Sequence, residues 1–262
     1  MFKILISLIF ALAGLQGFSQ QLQFRGGHSH NDYNQEQPFF NACDHGMVSI
    51  EADIFLRKGQ LLAGHNAEDL TAGRTLKSLY LNPIRKRITE NPKNFSPIIL
   101  LVDIKDRGEA TYQKLKETLK EYSGILSEYS KGRIIKRQVT IILSGDRPVK
   151  TLRTEKKRYA FIDGRMTKND IHDTASLMPL ISDDWNSFFN WQGKGNIPAD
   201  EFEKLKSLVE QCHKNHKMIR LWGYPNNSKA RQKYWQILKA AKVDLIGCDC
   251  PECLEKFLKT EK

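Results

Sequence analysis

The sequence predicts a single α/β domain, a (β/α)8 barrel of the TIM type, and three observations predict it. Eight short apolar runs recur along the chain, each of a length suited to a strand. Amphipathic or charge-laced segments separate them, the alternation that parallel βαβ units produce. The 262 residues contain no internal repeat and no Pro/Gly/Ser-rich linker, which suits one domain of this size. With 40% hydrophobic and 27% charged residues, the chain can fill a core and is neither a polytopic membrane protein nor largely disordered.

The first twenty residues stand apart from this pattern. Lys3 precedes an apolar run over 4–15, followed by Gly17, Phe18, Ser19 and Gln20. That is the order of a secretory signal peptide, and it predicts a secreted or periplasmic protein. The run is short for a membrane span of about 20 residues, which makes an N-terminal anchor the alternative. The barrel is therefore expected over 21–262. Strands are expected at 22–27, 48–56, 98–104, 139–144, 159–163, 177–182, 218–222 and 245–249. Helical segments are expected at 38–45, 76–89, 109–127, 148–156, 168–174, 199–214 and 229–241. Residues 57–60 read as a hairpin that returns through a further apolar run to Gly64. The run 98–102 is all apolar, as expected of a strand buried on both faces.

Lys and Arg number 41 against 30 Asp and Glu, a formal charge of +11. Much of the excess lies in Lys/Arg-rich stretches such as 114–120 and 131–137, which read as a solvated basic surface. No zinc-finger spacing, RNA-recognition motif or aromatic-interleaved basic stripe is present, so no nucleic-acid partner is predicted. Peripheral contact with an anionic membrane is compatible with this charge. The five cysteines are Cys43, Cys212, Cys248, Cys250 and Cys253. Cys250 and Cys253 form a CxxC without the second pair that zinc requires, so core packing or one disulfide is expected.

A barrel gives function an address, the C-terminal ends of the strands. Glu51 and Asp53 are two positions apart, so on a strand they face the same side. Asp103 ends the following barrel strand. Three carboxylates with an amide oxygen suit a hard divalent ion, Ca²⁺ or Mg²⁺, and an ion-pair network with Lys105 or Arg147 is the alternative. His30 arrives from the first strand and His65 follows the return run, and two imidazoles beside such a site form a sensible acid–base pair.

Gly27-His-Ser-His-Asn-Asp-Tyr33, Ser49-Ile-Glu-Ala-Asp53 and Gly64-His65 resemble the phospholipase C-like phosphodiesterase superfamily of TIM barrels. That superfamily includes glycerophosphodiester phosphodiesterases, phosphoinositide phospholipases C and sphingomyelinase D-type enzymes. The resemblance implies His30 and His65 as catalytic, with Asn31, Glu51 and Asp53 as metal ligands. Leu100-Leu-Val-Asp-Ile-Lys105 is similar to the glycerophosphodiesterase third strand, which implies Asp103 as a ligand in place of the usual Glu and Lys105 as a phosphate contact. The closing Leu245-Ile-Gly-Cys-Asp-Cys-Pro251 is similar to the family's last strand. The usual HRG and PENT segments are absent, which bears on substrate more than on reaction class. The sphingomyelinase pattern, His-x-x-Asn, would instead make His28 catalytic.

The reading is a metal-dependent phosphoric diester hydrolase acting on glycerophosphodiesters or related phospholipid-derived diesters. Arg147 and Trp222, at later strand ends, are expected to shape the pocket. Two other readings start from the same residues. His28 and His30 as an HxH pair suggest an amidohydrolase or polymerase-histidinol phosphatase-type metallohydrolase, and a pocket without turnover suggests an anion-binding barrel.

Overall fold

We describe residues 22–224 and 228–260 of a computed structural model. Eight parallel strands close into a barrel surrounded by helices. They are β1 (Gly26–Ser29), β2 (Ser49–Arg57), β3 (Ile98–Ile104), β4 (Val139–Gly145), β5 (Ala160–Gly164), β6 (Leu180–Asp184), β7 (Met218–Trp222) and β8 (Leu245–Cys248). Strand β1 pairs with both β2 and β8, which closes the ring. All eight expected strands are present.

Strict alternation explains why the runs are apolar throughout. Outward residues such as Ile50, Ile54, Leu100, Val102, Ile141, Leu143 and Ile219 pack beneath the helices. The inward partners Ile99, Leu101, Ile142, Phe161, Leu180, Met218 and Leu245 form a second buried cluster, a plug inside the barrel. Each such side chain contributes about 1.5–3 kcal/mol on burial. Continuing the same inward face toward the strand C-termini leads from plug to polar groups. The register sets Asp53 beside Asp103 and Asp103 beside Ser144, a polar row across three strands.

Several boundaries differ from expectation. β1 begins at Gly26 rather than residue 22, because Leu22 packs in the plug and closes its N-terminal end, while the Phe24 N–H donates to Met218 Sδ. The sixth strand begins at Leu180, because a turn in which the Leu177 N–H donates to the Thr174 carbonyl precedes it. The hairpin after β2 is present, with Gln60–Ala63 antiparallel to β2. Two features were not expected. A small antiparallel sheet of Glu128–Ser130, Arg133–Ile135 and Lys157–Arg158 lies beside the starts of β4 and β5. The helix Pro251–Thr260 packs against β1, its Leu254 so close to Gly27 that a Cβ there would stand 2.9 Å from Leu254 Cδ2.

Cys250 and Cys253 form a disulfide, and Cys43, Cys212 and Cys248 are free thiols. No helix among the described residues is long and apolar enough to cross a membrane. The expected signal peptide at 1–20 lies outside the described residues.

Candidate active site

The polar groups above the plug open into a pocket of about 470 Å³ at the C-terminal ends of the strands. Its floor is the acid cluster. One carboxylate oxygen each of Glu51, Asp53 and Asp103 lie within 4.8 Å of one another, the sole group of three or more potential metal-ligating residues that meets this spacing among the described residues.

Each acid sits in a different field. Burial would raise the Glu51 carboxyl, but Arg220 and the hydrogen bond from His28 hold it well below the usual carboxylate range. Arg220 Nη2 donates to Glu51 Oε2 at 3.0 Å. Asp53 is fully buried, and burial with the charge of Glu51 raises its carboxyl. Its Oδ2 accepts from Tyr33 Oη at 2.7 Å and faces Lys105 Nζ at 2.8 Å, while its Oδ1 has no partner. Asp103 is pushed up to about 6 by burial, with Lys105 opposing and Asp53 and Glu51 adding to the rise. Burial opposes the Lys105 charge, but Asp103 and Asp53 outweigh it and raise the ammonium.

Two histidines flank the acids. His30 Nδ1 lies 2.6 Å from Asp249 Oδ1, to which it donates, and this turns Nε2 toward Glu51 Oε1 at 3.8 Å. Burial works against the charged form of His30, but the Asp249 hydrogen bond and the Glu51 charge overcome it and raise the imidazole. His65 Nδ1 lies 3.1 Å from Asp53 Oδ2, with the side chain 56% exposed, so its other nitrogen is open to the pocket. His28 is different. It has no exposed surface, and burial, aided by Arg220, lowers it to about 4. Neutral at pH 7, it donates from Nε2 to Glu51 at 2.9 Å and accepts at Nδ1 from Ser49 Oγ at 2.8 Å. It lies under the floor and positions Glu51.

The remaining expected residues divide by place. Asn31, in a left-handed backbone conformation, accepts at Oδ1 from Tyr33 and lines the pocket beside His30. Lys105 and Trp222 line it too, Trp222 at 39% exposure. Arg147 does not. It lies beyond the turn at Gly145 and donates to that residue's carbonyl, and Arg165 holds the pocket wall instead, 3.0 Å from buried Asp163. His213 bonds Asp244, next to the start of β8, and His172 lies beside Asn215, so neither approaches His28 and His30.

The donor set fits a hard divalent cation. Three carboxylates converge, two of them raised by burial first and by neighbouring acids second, and a buried carboxylate oxygen lacks any partner. Glu51, Asp53 and Asp103 would hold the ion, with the Asn31 amide beside them.

Comparison with known proteins follows the same residues. The sequence profile of the AIM6-like phosphodiesterase domain matches residues 16–97 and 90–163, together more than half of the chain. The chain belongs to this family. It is 28% identical to Altered inheritance of mitochondria protein 6 of Eremothecium gossypii, over 88% of this chain and 68% of that protein. Identity is 26% to the homolog in Arthroderma benhamiae, over 85% of this chain and 80% of that one. It is 29% to the protein of the same name in Lachancea thermotolerans, over 85% and 63%.

The AIM6-like match contains both flanking histidines and the three acids, whereas Arg165, Arg220, Trp222 and Asp249 lie beyond it. Sequence reasoning missed Arg220 and the pairing of Asp249 with His30. Arg220 had a signal, a lone cation inside the apolar run 218–222. The Asp249 pair joins residues 219 positions apart and had none in local spacing.

Proposed function

We propose that this barrel is a metal-dependent phosphoric diester hydrolase in which His30 and His65 act as an acid–base pair. The observation that carries the reading is the acid cluster with a histidine on each side, His30 against Glu51 and His65 against Asp53. A bound divalent cation would supply positive charge that polarises the phosphate. One imidazole takes the proton of a substrate hydroxyl, whose oxygen attacks phosphorus. The other imidazole protonates the leaving alkoxide, and the product is a cyclic phosphodiester that water can reopen. Asp249 holds the His30 ring so that Nε2 faces the pocket. Lys105, Arg165 and Arg220 provide positive charge for phosphate oxygens around the same space.

The resemblance of the His30, Glu51–Asp53 and His65 segments to the phospholipase C-like superfamily supports this chemistry. A pocket of about 470 Å³ suits a small diester, and Trp222 and Tyr224 offer apolar surface for its organic part. We take the substrate to be a glycerophosphodiester or related lipid-derived diester, and the N-terminal segment to direct export. A metal-supplemented screen of glycerol, inositol and lysophospholipid diesters, with products followed by phosphorus NMR, tests the proposal. Turnover of at least one diester, lost in both His30→Ala and His65→Ala, supports it. Turnover that survives both substitutions contradicts it.

A further inference from the structure

The end of the barrel opposite the pocket carries a different kind of charge. The small sheet adjoins the N-terminal ends of β4 and β5, since Ser127 N donates to the Val139 carbonyl and Lys157–Arg158 runs directly into β5. Residues 128–137 and 153–158 hold eight Lys and Arg against two Glu, more than half of the chain's formal excess of +11. Some of these cations are already engaged. Lys157 pairs with Glu128 at 3.3 Å, Arg153 pairs with Asp173, and buried Arg158 lies over the Tyr129 ring at 4.0 Å. Five are not: Lys131, Arg133, Lys136, Arg137 and Lys156 are exposed, and their side chains form no ion pair or hydrogen bond among the described residues.

We infer that this end is an electrostatic docking face for an anionic phospholipid bilayer. Five long cations spread over two separate segments, all exposed, make a broad positive field rather than a receptor for one anion. Such a field matches a surface of mobile anionic headgroups, where each Lys or Arg contributes roughly fivefold in binding. A single-stranded nucleic acid would call for exposed aromatics to stack on its bases. Among the described residues the one exposed large hydrophobic side chain is Trp222, at the other end. Docked in this way, the barrel turns its pocket away from the bilayer and takes its substrate from solution. The inference is independent of the proposed activity, because binding is read without turnover.

The full chain is sedimented with phosphatidylcholine vesicles, with and without phosphatidylserine, at low and high salt. The variant Lys131→Gln/Arg133→Gln/Lys136→Gln/Arg137→Gln/Lys156→Gln is run beside it, its fold checked by thermal melting. The expected result is binding only to phosphatidylserine vesicles, lost at high salt and weakened at least about 10²-fold in the variant. Equal binding by the variant overturns the inference, as does binding that ignores phosphatidylserine. A single-stranded oligonucleotide is the competing arm, and tighter, variant-sensitive binding to it than to vesicles overturns the choice of a bilayer. Single substitutions at Lys131 and Lys156 keep the test valid if the multiple variant fails to fold, each expected to weaken binding by about fivefold.

Discussion

At the C-terminal end of the barrel the charges that form the pocket floor are held by partners, and Glu51, Asp53 and Asp163 are buried. Glu51 is shared by His28 and Arg220, Asp53 by Tyr33, Lys105 and His65, and Asp163 by Ser144, Ser182 and Arg165. At the N-terminal end five cations stand in solvent with no partner among the described residues. The difference teaches what organisation does to charge. Carboxylates held beside one another in a buried floor cannot relax apart, and burial with their mutual charge sets their protonation. Cations on flexible stems are under no such constraint and act only through a summed, salt-sensitive field.

The comparison is broken most directly at the floor. Glu51→Gln and Asp53→Asn are each expected to lower turnover by at least about 10³-fold, in line with several kcal/mol of charge stabilisation. Circular dichroism should show the barrel intact, and a variant that keeps wild-type turnover would remove its acid from the site. The histidines come next. His30→Ala and His65→Ala should each lose at least about 10²-fold in kcat. His28→Ala should act through the floor instead, losing about 1–3 kcal/mol of stability in urea unfolding because Glu51 and Ser49 lose their shared partner. Loss of turnover in His28→Ala as deep as in His30→Ala, at unchanged stability, would reverse the two roles.

Gly145 sharpens the picture at one atom. Its φ is +68°, and a Cβ there would stand 2.1 Å from Asp103 Oδ1 and 2.3 Å from the Ile104 carbonyl. Gly145→Ala is expected to cost about 1–3 kcal/mol and to displace Asp103, weakening cation affinity as well as stability. Unchanged calorimetric affinity in that variant would place Asp103 outside the ligand set. The smallest effect is expected at the basic end. The Arg153 hydrogen bond holds the Asp173 carboxyl below its usual range. A depressed folded-state pKa stabilises at pH above the unfolded value of about 3.9, and that contribution fades as pH falls through the folded one. Asp173→Asn should therefore cost no more than about 1 kcal/mol at pH 7 and almost nothing near pH 2, by unfolding at both values.

The strands were legible because burial on both faces leaves an apolar run with little ambiguity, as at 98–102 and 141–143. The small sheet was not, because its strands are two or three residues long and its run 131–137 is read as charge before it is read as structure. The closing helix was hidden for a related reason, since Cys250-Pro-Glu-Cys253 draws the eye as a metal or disulfide motif rather than a helix start with Pro251 in the first turn. Within the site, alternation sorts residues that motif reading leaves equal. Arg165 shares the inward parity of Asp163, whereas Arg147 is out of step with Ser144. His28 and His30 share one parity and differ only in depth, which a sequence does not display. Depth decides that one holds Glu51 from below while the other meets the pocket.

Metal binding at the floor is the claim on which the proposed chemistry rests. The direct measurement is turnover of a cleaved diester by chelator-stripped protein, before and after adding back Mg²⁺ or Ca²⁺, with calorimetric titration of the same ion into wild type and Asp53→Asn. The account predicts that stripping abolishes turnover, that one of the two ions restores it, and that Asp53→Asn shows no binding isotherm. Undiminished turnover in stripped protein, or equal ion affinity in Asp53→Asn, would contradict it.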